Sequence, residues 1–268
     1  MRQRFDVLIN TVSMASLANE IIVRDIVEQP EETDVETVLR GNRPGMRVTS
    51  RVRKSLSVQV VYMIRTRNVV RRTEVRNKIA AWCAKGGILE INTRPGKRLY
   101  VKPNALPSVN SALKWTQDLS LTFVAYEQPY WEDKTIVQDT GSLTKLDSGE
   151  YWLHRLIHPV GDVDFVPMQA YITVTGTAPL TWLKLVCGDT MFELEGMNIA
   201  NGGMVVILYD ENDRLNVVDF TNDQASLLSH RTPQSSDDLL CRTGVDNNWS
   251  LEANTPLYIE LFTRGRWF

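Results

Sequence analysis

Residues 73–101 read TEVRNKIAAWCAKGGILEINTRPGKRLYV, and the periodicity changes once along this stretch. Val75, Ile79 and Trp82 recur at spacings of four and three, which place side chains on one helix face, so a helix is expected over Thr73–Lys85. Thr73 is suited to cap its start, and Gly86-Gly87 supplies the left-handed backbone that ends helices. Directly afterwards Ile88–Asn92 and Arg98–Val101 flank Arg94-Pro95-Gly96-Lys97. Proline there fits the first central position of a turn and glycine the position of positive φ. One helix running straight into a β-hairpin is the expectation.

Outward from this pair the first half reads as strands. Leu56, Val58 and Val60 alternate with Ser55, Ser57 and Gln59, and Leu119, Leu121, Phe123 and Ala125 share one side of a second run ending at Tyr126. Val27–Arg53 lacks such alternation and contains Pro30, Gly41, Pro44 and Gly45, so it reads as an extended loop or arm. Its acidic start (Glu28, Glu31, Glu32, Asp34, Glu36) and basic end (Arg40, Arg43, Arg47, Arg51, Arg53) are expected to meet opposite charges on a neighbouring subunit, with Arg43, Arg47 and Arg51 at the interface.

After Trp131 the polar segments Glu132-Asp133-Lys134 and Gln138–Ser142 suggest a domain boundary, giving domains 1–136 and 137–268. In the second, Met168, Ala170, Ile172 and Val174 alternate with polar residues. Short runs follow at Trp182–Cys187, Met191–Leu194, Met204–Tyr209, Leu215–Asp219 and Leu257–Thr263, separated by turns such as Gly188-Asp189 and Asp210–Asp213. Many short strands without amphipathic helices indicate an antiparallel sandwich or barrel. The fold class is mainly β with one α-helix.

Charge is unequal between the halves. Residues 1–135 hold 22 of the 30 Lys and Arg but 14 of the 32 Asp and Glu, so they carry about +8 and the rest about −10, which implies different neighbours for the two halves. Cys83, Cys187 and Cys241 are widely spaced and odd in number, so reduced thiols are expected. No signal peptide or membrane-inserting stretch is evident.

No arrangement for catalysis, cofactor binding or metal binding stands out. His154 and His158 lie four apart but lack a third ligand. Asp210–Asp213 is followed by Arg214 and Leu215, where a calcium loop requires an oxygen ligand and a glycine, so a hairpin turn is expected. Ser229-His230 has no nucleophile elbow around it. Residues 40–102 hold 17 Lys and Arg against Glu74 and Glu90 alone. These charges span loop, strand, helix and hairpin instead of one recognition helix, which favours subunit contacts over nucleic-acid binding. Tyr62, Trp82 and Tyr100 read as core, as do Trp152, Trp182 and Trp249, with sugar stacking by the tryptophans as the lesser alternative.

The order of basic strand Arg53–Arg65, helix, Gly86-Gly87, hairpin Leu89–Val101, a strand ending Ala125-Tyr126-Glu127-Gln128-Pro129-Tyr130-Trp131, and an all-β second domain resembles the distal tail proteins of siphophages. The resemblance implies an N-terminal domain that forms a homohexameric ring continuing the tail tube, and a galectin-like β-sandwich facing receptor-binding or baseplate proteins. It implies a non-enzymatic protein of the virion tail tip, assembled in the host cytoplasm, that also meets a tail-tip protein. Viral DNA would pass through its lumen without specific binding. A lectin-like carbohydrate-binding module is the alternative.

Overall fold

A computed structural model describes residues 5–29, 33–39, 46–53, 55–106, 118–210 and 213–267. The chain divides into two compact units, Met1–Trp131 and Glu132–Trp267. Its sheets are antiparallel, and one α-helix occurs among the described residues, as the alternating patterns lead one to expect.

The first unit contains β1 (Val7–Ile9), β2 (Val12–Ser13), β3 (Ile21–Gln29), β4 (Thr33–Leu39), β5 (Met46–Arg53), β6 (Leu56–Ile64), the helix α1 (Val69–Cys83), β7 (Gly87–Ile91), β8 (Lys97–Pro103) and β9 (Leu119–Ala125). Seven of these strands hydrogen-bond in the order β2-β1-β7-β8-β9-β6-β3. Alternation places Leu56, Val58, Val60 and Tyr62 of β6 in the core beside Leu121, Phe123 and Ala125 of β9, with Val58 opposite Phe123 and Val60 opposite Leu121. Burying each aliphatic side chain contributes roughly 1.5 to 3 kcal/mol.

The helix turns Arg72, Val75, Ile79 and Cys83 inward, and Trp82 meets Phe123 edge-on at 6.1 Å. It begins one turn before the expected Thr73. Asn68 is the cap, its Oδ1 accepting from the Arg71 amide at 3.2 Å, while Thr73 lies inside and donates to the Val69 carbonyl at 3.1 Å. Val69 and Val70 are exposed, so the apolar period shows itself only from Val75.

Gly86 ends the helix with φ of 68°. A Cβ there would lie 2.2 Å from the Val101 carbonyl oxygen, and one on Gly87 would strike the Asn10 side chain. Asn10 fills that space, accepting from the Ile88 amide at 2.9 Å and donating to the Gly86 carbonyl at 3.4 Å. The close approach of β1 and β8 thus requires the glycines as much as the helix stop does.

β10 (Trp131–Asp133) carries the chain into the second unit. There β11 (Val137–Ser142), β12 (Thr144–Lys145), β13 (Tyr151–Ile157), β14 (Phe165–Pro167), β15 (Gln169–Val174), β16 (Leu180–Cys187), β17 (Thr190–Ile199), β18 (Met204–Tyr209), β19 (Leu215–Asp219), β20 (Ala225–Ser226), β21 (Leu240–Arg242), β22 (Asn247–Ala253), β23 (Leu257–Thr263) and β24 (Arg266–Trp267) follow. A six-stranded sheet, β11-β23-β15-β18-β19-β20, and a five-stranded sheet, β12-β13-β22-β16-β17, share one apolar core. Met168, Ala170, Ile172 and Val174 face into it, as their alternation requires, together with Leu183, Leu185, Phe192, Trp249 and Leu251.

Three expectations change here. Gln138–Ser142, polar in sequence, is no linker but β11, paired with β23 from Val137↔Thr263 to Ser142↔Tyr258. Cys187, at the end of β16, and Cys241, in β21, form a disulfide across a separation of 54 residues with their Cα atoms 6.2 Å apart, so only Cys83 is a free thiol. The topology brings together two positions whose spacing carries no signal. Trp152 is 38% exposed and plugs no core, whereas Trp249 is buried, its Nε1 donating to Asp139 at 3.2 Å.

A buried cation completes the second unit. The Arg266 guanidinium donates to both carboxylate oxygens of Asp213, at 2.8 and 2.5 Å, and its Nε lies 3.4 Å from Glu132. The Arg266 carbonyl accepts from the Asp162 amide at 3.1 Å. One side chain thereby ties together the unit's first residues, the β18–β19 turn and its last strand, and paired charges make its burial tolerable.

Candidate assembly surfaces

The arm expected as a loop over Val27–Arg53 is largely strand. Its first residues belong to β3, and β4 and β5 pair with each other in a sheet of two strands. Gln29 pairs with Ser57 and Thr33 with Arg53, so three residues separate the paired positions on each side and the two ladders share one register. Single extra residues, Arg24 and Thr49, interrupt the two ladders. β4 and β5, seven and eight residues long, each span roughly 25 Å.

Of the three arginines assigned to a subunit interface, Arg47 and Arg51 stand on β5 opposite Val38 and Val35. Arg43 lies outside the described residues. The acidic and basic ends of the arm run side by side, with Asp34 and Glu36 on β4 and Arg47, Arg51 and Arg53 on β5. β3 is the last strand of the large sheet, and along it Arg24, Asp25 and Val27 are exposed.

Much of the basic run 40–102 works within the first unit. Arg71 bonds Glu20 at 2.8 Å and Glu74 at 3.0 Å, which holds the Glu20 carboxyl below its ordinary range. Arg94 reaches Glu28 at 2.6 Å and lies over the Trp131 ring, Lys102 bonds Glu127 at 3.0 Å, and Arg98 covers Tyr100. Arg72 is buried, donating to the Thr66 carbonyl at 3.0 Å. Tyr62 is wholly buried, and desolvation pushes its hydroxyl up to about 12. Half-buried Trp82 donates to the Val12 carbonyl at 2.9 Å.

In the second unit the structure separates the residues that invited a chemical reading. His154 sits on strand β13, not a helix, and stacks on Trp152. His158 follows the strand and meets Asp246 at 2.9 Å. Asp210 and Asp213 close the β18–β19 hairpin turn, where the Asp210 side chain accepts from the Arg214 amide at 2.9 Å. Ser229-His230 lies in a short 3-10 turn, and His230 bonds the Glu195 carbonyl. Among the described residues no three His, Cys, Asp or Glu gather as metal ligands, and no helix is long and apolar enough to cross a membrane.

Two features escaped the sequence reading. A cleft of about 570 Å³ lies between β11 and the second half of β13, lined by Asp139, His154, Arg155, Leu156, His158 and Asn248 among others. Beside it Trp152, His154 and Leu156 are exposed along one face of β13. Their inward neighbours Leu153 and Ile157 carried the signal of phase, but only the pairing shows which side faces out.

No family model and no curated protein matches the sequence. Solved structures do match in shape. The SPP1 Dit protein, described as a paradigm of the hub adsorption apparatus in phages infecting Gram-positive bacteria, aligns with a TM-score of 0.66 at 11% identity, covering 97% of this chain and 98% of that one. The phage p2 baseplate in its activated conformation aligns at 0.55 with strontium (8% identity, 97% of each chain) and at 0.54 with calcium (9% identity, 99% and 98%). Both units are included in these alignments, and the chain accordingly has the fold of the phage distal tail proteins.

Proposed function

We propose that this chain is a structural distal tail protein of a long-tailed bacteriophage. It forms a homohexameric ring that joins the tail tube to the tail-tip, receptor-binding or baseplate proteins. The observation that carries this reading is the likeness to SPP1 Dit over almost the full length of both chains. In this reading the first unit closes the ring and the second, a galectin-like sandwich, bears the outer partners. The protein works at the virion tail tip after assembly in the host cytoplasm, DNA traverses its lumen, and no reaction is catalysed.

Physical features of the first unit support the reading. A ring closes through a heterologous contact repeated by rotation, which needs an edge or arm that reaches the next subunit. Among the described residues β3 offers a sheet edge and the β4–β5 pair offers reach, with Arg47 and Arg51 on β5, and in this reading these two and Arg43 clasp the next subunit. Native mass spectrometry and electron microscopy of the purified full chain test it. Closed six-membered rings are the expected result, and a protein that stays monomeric at about 100 μM would defeat the proposal, because an assembly interface of ordinary size gives micromolar affinity or better.

A further inference from the structure

Of the tryptophans among the described residues, Trp82, Trp182 and Trp267 are half-buried and Trp131 and Trp249 buried, so Trp152 alone is exposed. Its ring lies 5.8 Å from that of His154 and within 11° of parallel, so the imidazole fixes its tilt. Leu156, 56% exposed, continues the same face of β13. An indole held upright on a sheet face without an apolar cover gains nothing for the fold, while its flat, polarisable surface suits the C–H face of a pyranose ring.

The residues around this stripe supply the other half of a saccharide site. In register, Trp152 stands opposite Thr144 and Glu252, and Glu252 opposite Lys184. His154 stands opposite Ser250 and Leu156 opposite Asn248. Side chains directly opposite on a sheet face lie about 5 Å apart, within reach of one sugar ring and its hydroxyls. One acid and one base balance within this set, which fits an uncharged ligand with many hydroxyls better than a polyanion. His154 is also a wall of the 570 Å³ cleft, whose volume is that of a small-ligand site and whose lining mixes polar side chains with Val137, Leu156 and Ile157.

The outer face of the six-stranded sheet makes a useful contrast. Its aromatic pair, Tyr171 and Phe262, stack on each other at 5.2 Å, and Val206, opposite Tyr171, is buried. Tyr171, 37% exposed, thus shares its ring surface with a phenyl group where Trp152 shares its own with an imidazole.

We propose that the outer face of the five-stranded sheet binds a short uncharged hexose or N-acetylhexosamine chain, with one ring stacked on Trp152 and the next directed past His154 into the cleft. The site belongs to a single second unit and does not rest on ring formation. A closed ring would multiply weak single-site affinity by avidity.

The test presents purified full chain to an array of neutral hexose and N-acetylhexosamine oligosaccharides, with the oligomeric mass measured on the same sample so that ring formation is judged separately. Binding to at least one oligosaccharide is expected. It should fall at least about tenfold, equivalent to about 1.4 kcal/mol, in Trp152→Ala, survive in Trp152→Phe, weaken in Glu252→Gln and stay unchanged in Tyr171→Ala. Absence of any bound glycan, or binding that survives Trp152→Ala, would overturn the proposal. So would a requirement for Trp152 in retaining another tail protein when no glycan binds.

Discussion

The sheets of both units end on strands with one hydrogen-bonded neighbour, β11 beside β23 in the second unit and β3 beside β6 in the first, but β11 has six residues and β3 has nine, followed in the chain by the separate two-stranded sheet β4–β5. The second unit also secures itself by other means. The Cys187–Cys241 disulfide ties β16 to β21, and Arg266 gathers Glu132 and Asp213. Residues 231–236 strap the outer strand β17, where Ser235 and Thr232 bond the backbone and carboxylate of Glu193. Among its described residues the first unit has one free buried thiol, surface ion pairs and the long edge strand β3. Open edges invite pairing with another chain, and soluble proteins usually cover them. In the proposed ring the second unit is fastened by its own side chains, and the first has a long edge strand to offer a neighbour.

The largest effect expected on this contrast comes from the disulfide. Closing a loop across 54 residues is worth about 4 kcal/mol in the loop-entropy account, so the Cys187→Ala/Cys241→Ala variant should unfold its second unit at a clearly lower urea concentration. The wild-type midpoint should fall in the same way with dithiothreitol. A midpoint indifferent to both treatments would erase the difference in self-sufficiency between the units.

A smaller loss is expected in the first unit from Gly86→Ala. The substitution places a Cβ where φ is 68° and 2.2 Å from the Val101 oxygen, so β8 must shift. The left-handed backbone alone costs an alanine about 1 to 2 kcal/mol, and the displaced carbonyl adds to it. Thermal unfolding followed by circular dichroism reads the change, and an unchanged melting temperature would show that the helix-to-hairpin junction is slack.

The smallest effect on subunit stability belongs to the arm. Arg43→Glu/Arg47→Glu/Arg51→Glu should leave the monomer within about 0.5 kcal/mol of wild type while shifting rings toward monomers at low salt, since exposed ion pairs contribute about 0 to 1 kcal/mol each. Because β4 and β5 set acids beside bases within one hairpin, the reversal also puts like charges on paired strands. Adding Asp34→Arg/Glu36→Arg restores the internal match but not the match to a neighbour. Rings recovered by the five-fold variant would mean that the charges shape the hairpin and do not clasp.

How far the sequence was legible follows from how each element is stabilised. β6 and β15 were legible because one face meets a core and the other does not, which is what alternation records. The β7–β8 hairpin was legible from Pro95-Gly96. The arm was not, because its ladder shifts phase at Thr49, which breaks any alternation along β5. The disulfide and the Arg266 cluster were hidden for another reason. They join residues 54 and 53 positions apart, which only the sheet order brings together. Trp152 was misread as core because its neighbours in sequence are apolar, although its phase against Leu153 sets it outside.

The common register of Ile26↔Val60 and Glu36↔Ser50 makes the arm a ruler. Equal numbers of residues removed from β4 and β5, or added to both, leave the β3–β6 pairings as they were, while the ladder's length changes by about 3.3 Å for each pair. A single insertion on one strand, by contrast, turns the outer part over by half a pleat. The length of the arm can thus change in matched steps independently of the fold that carries it.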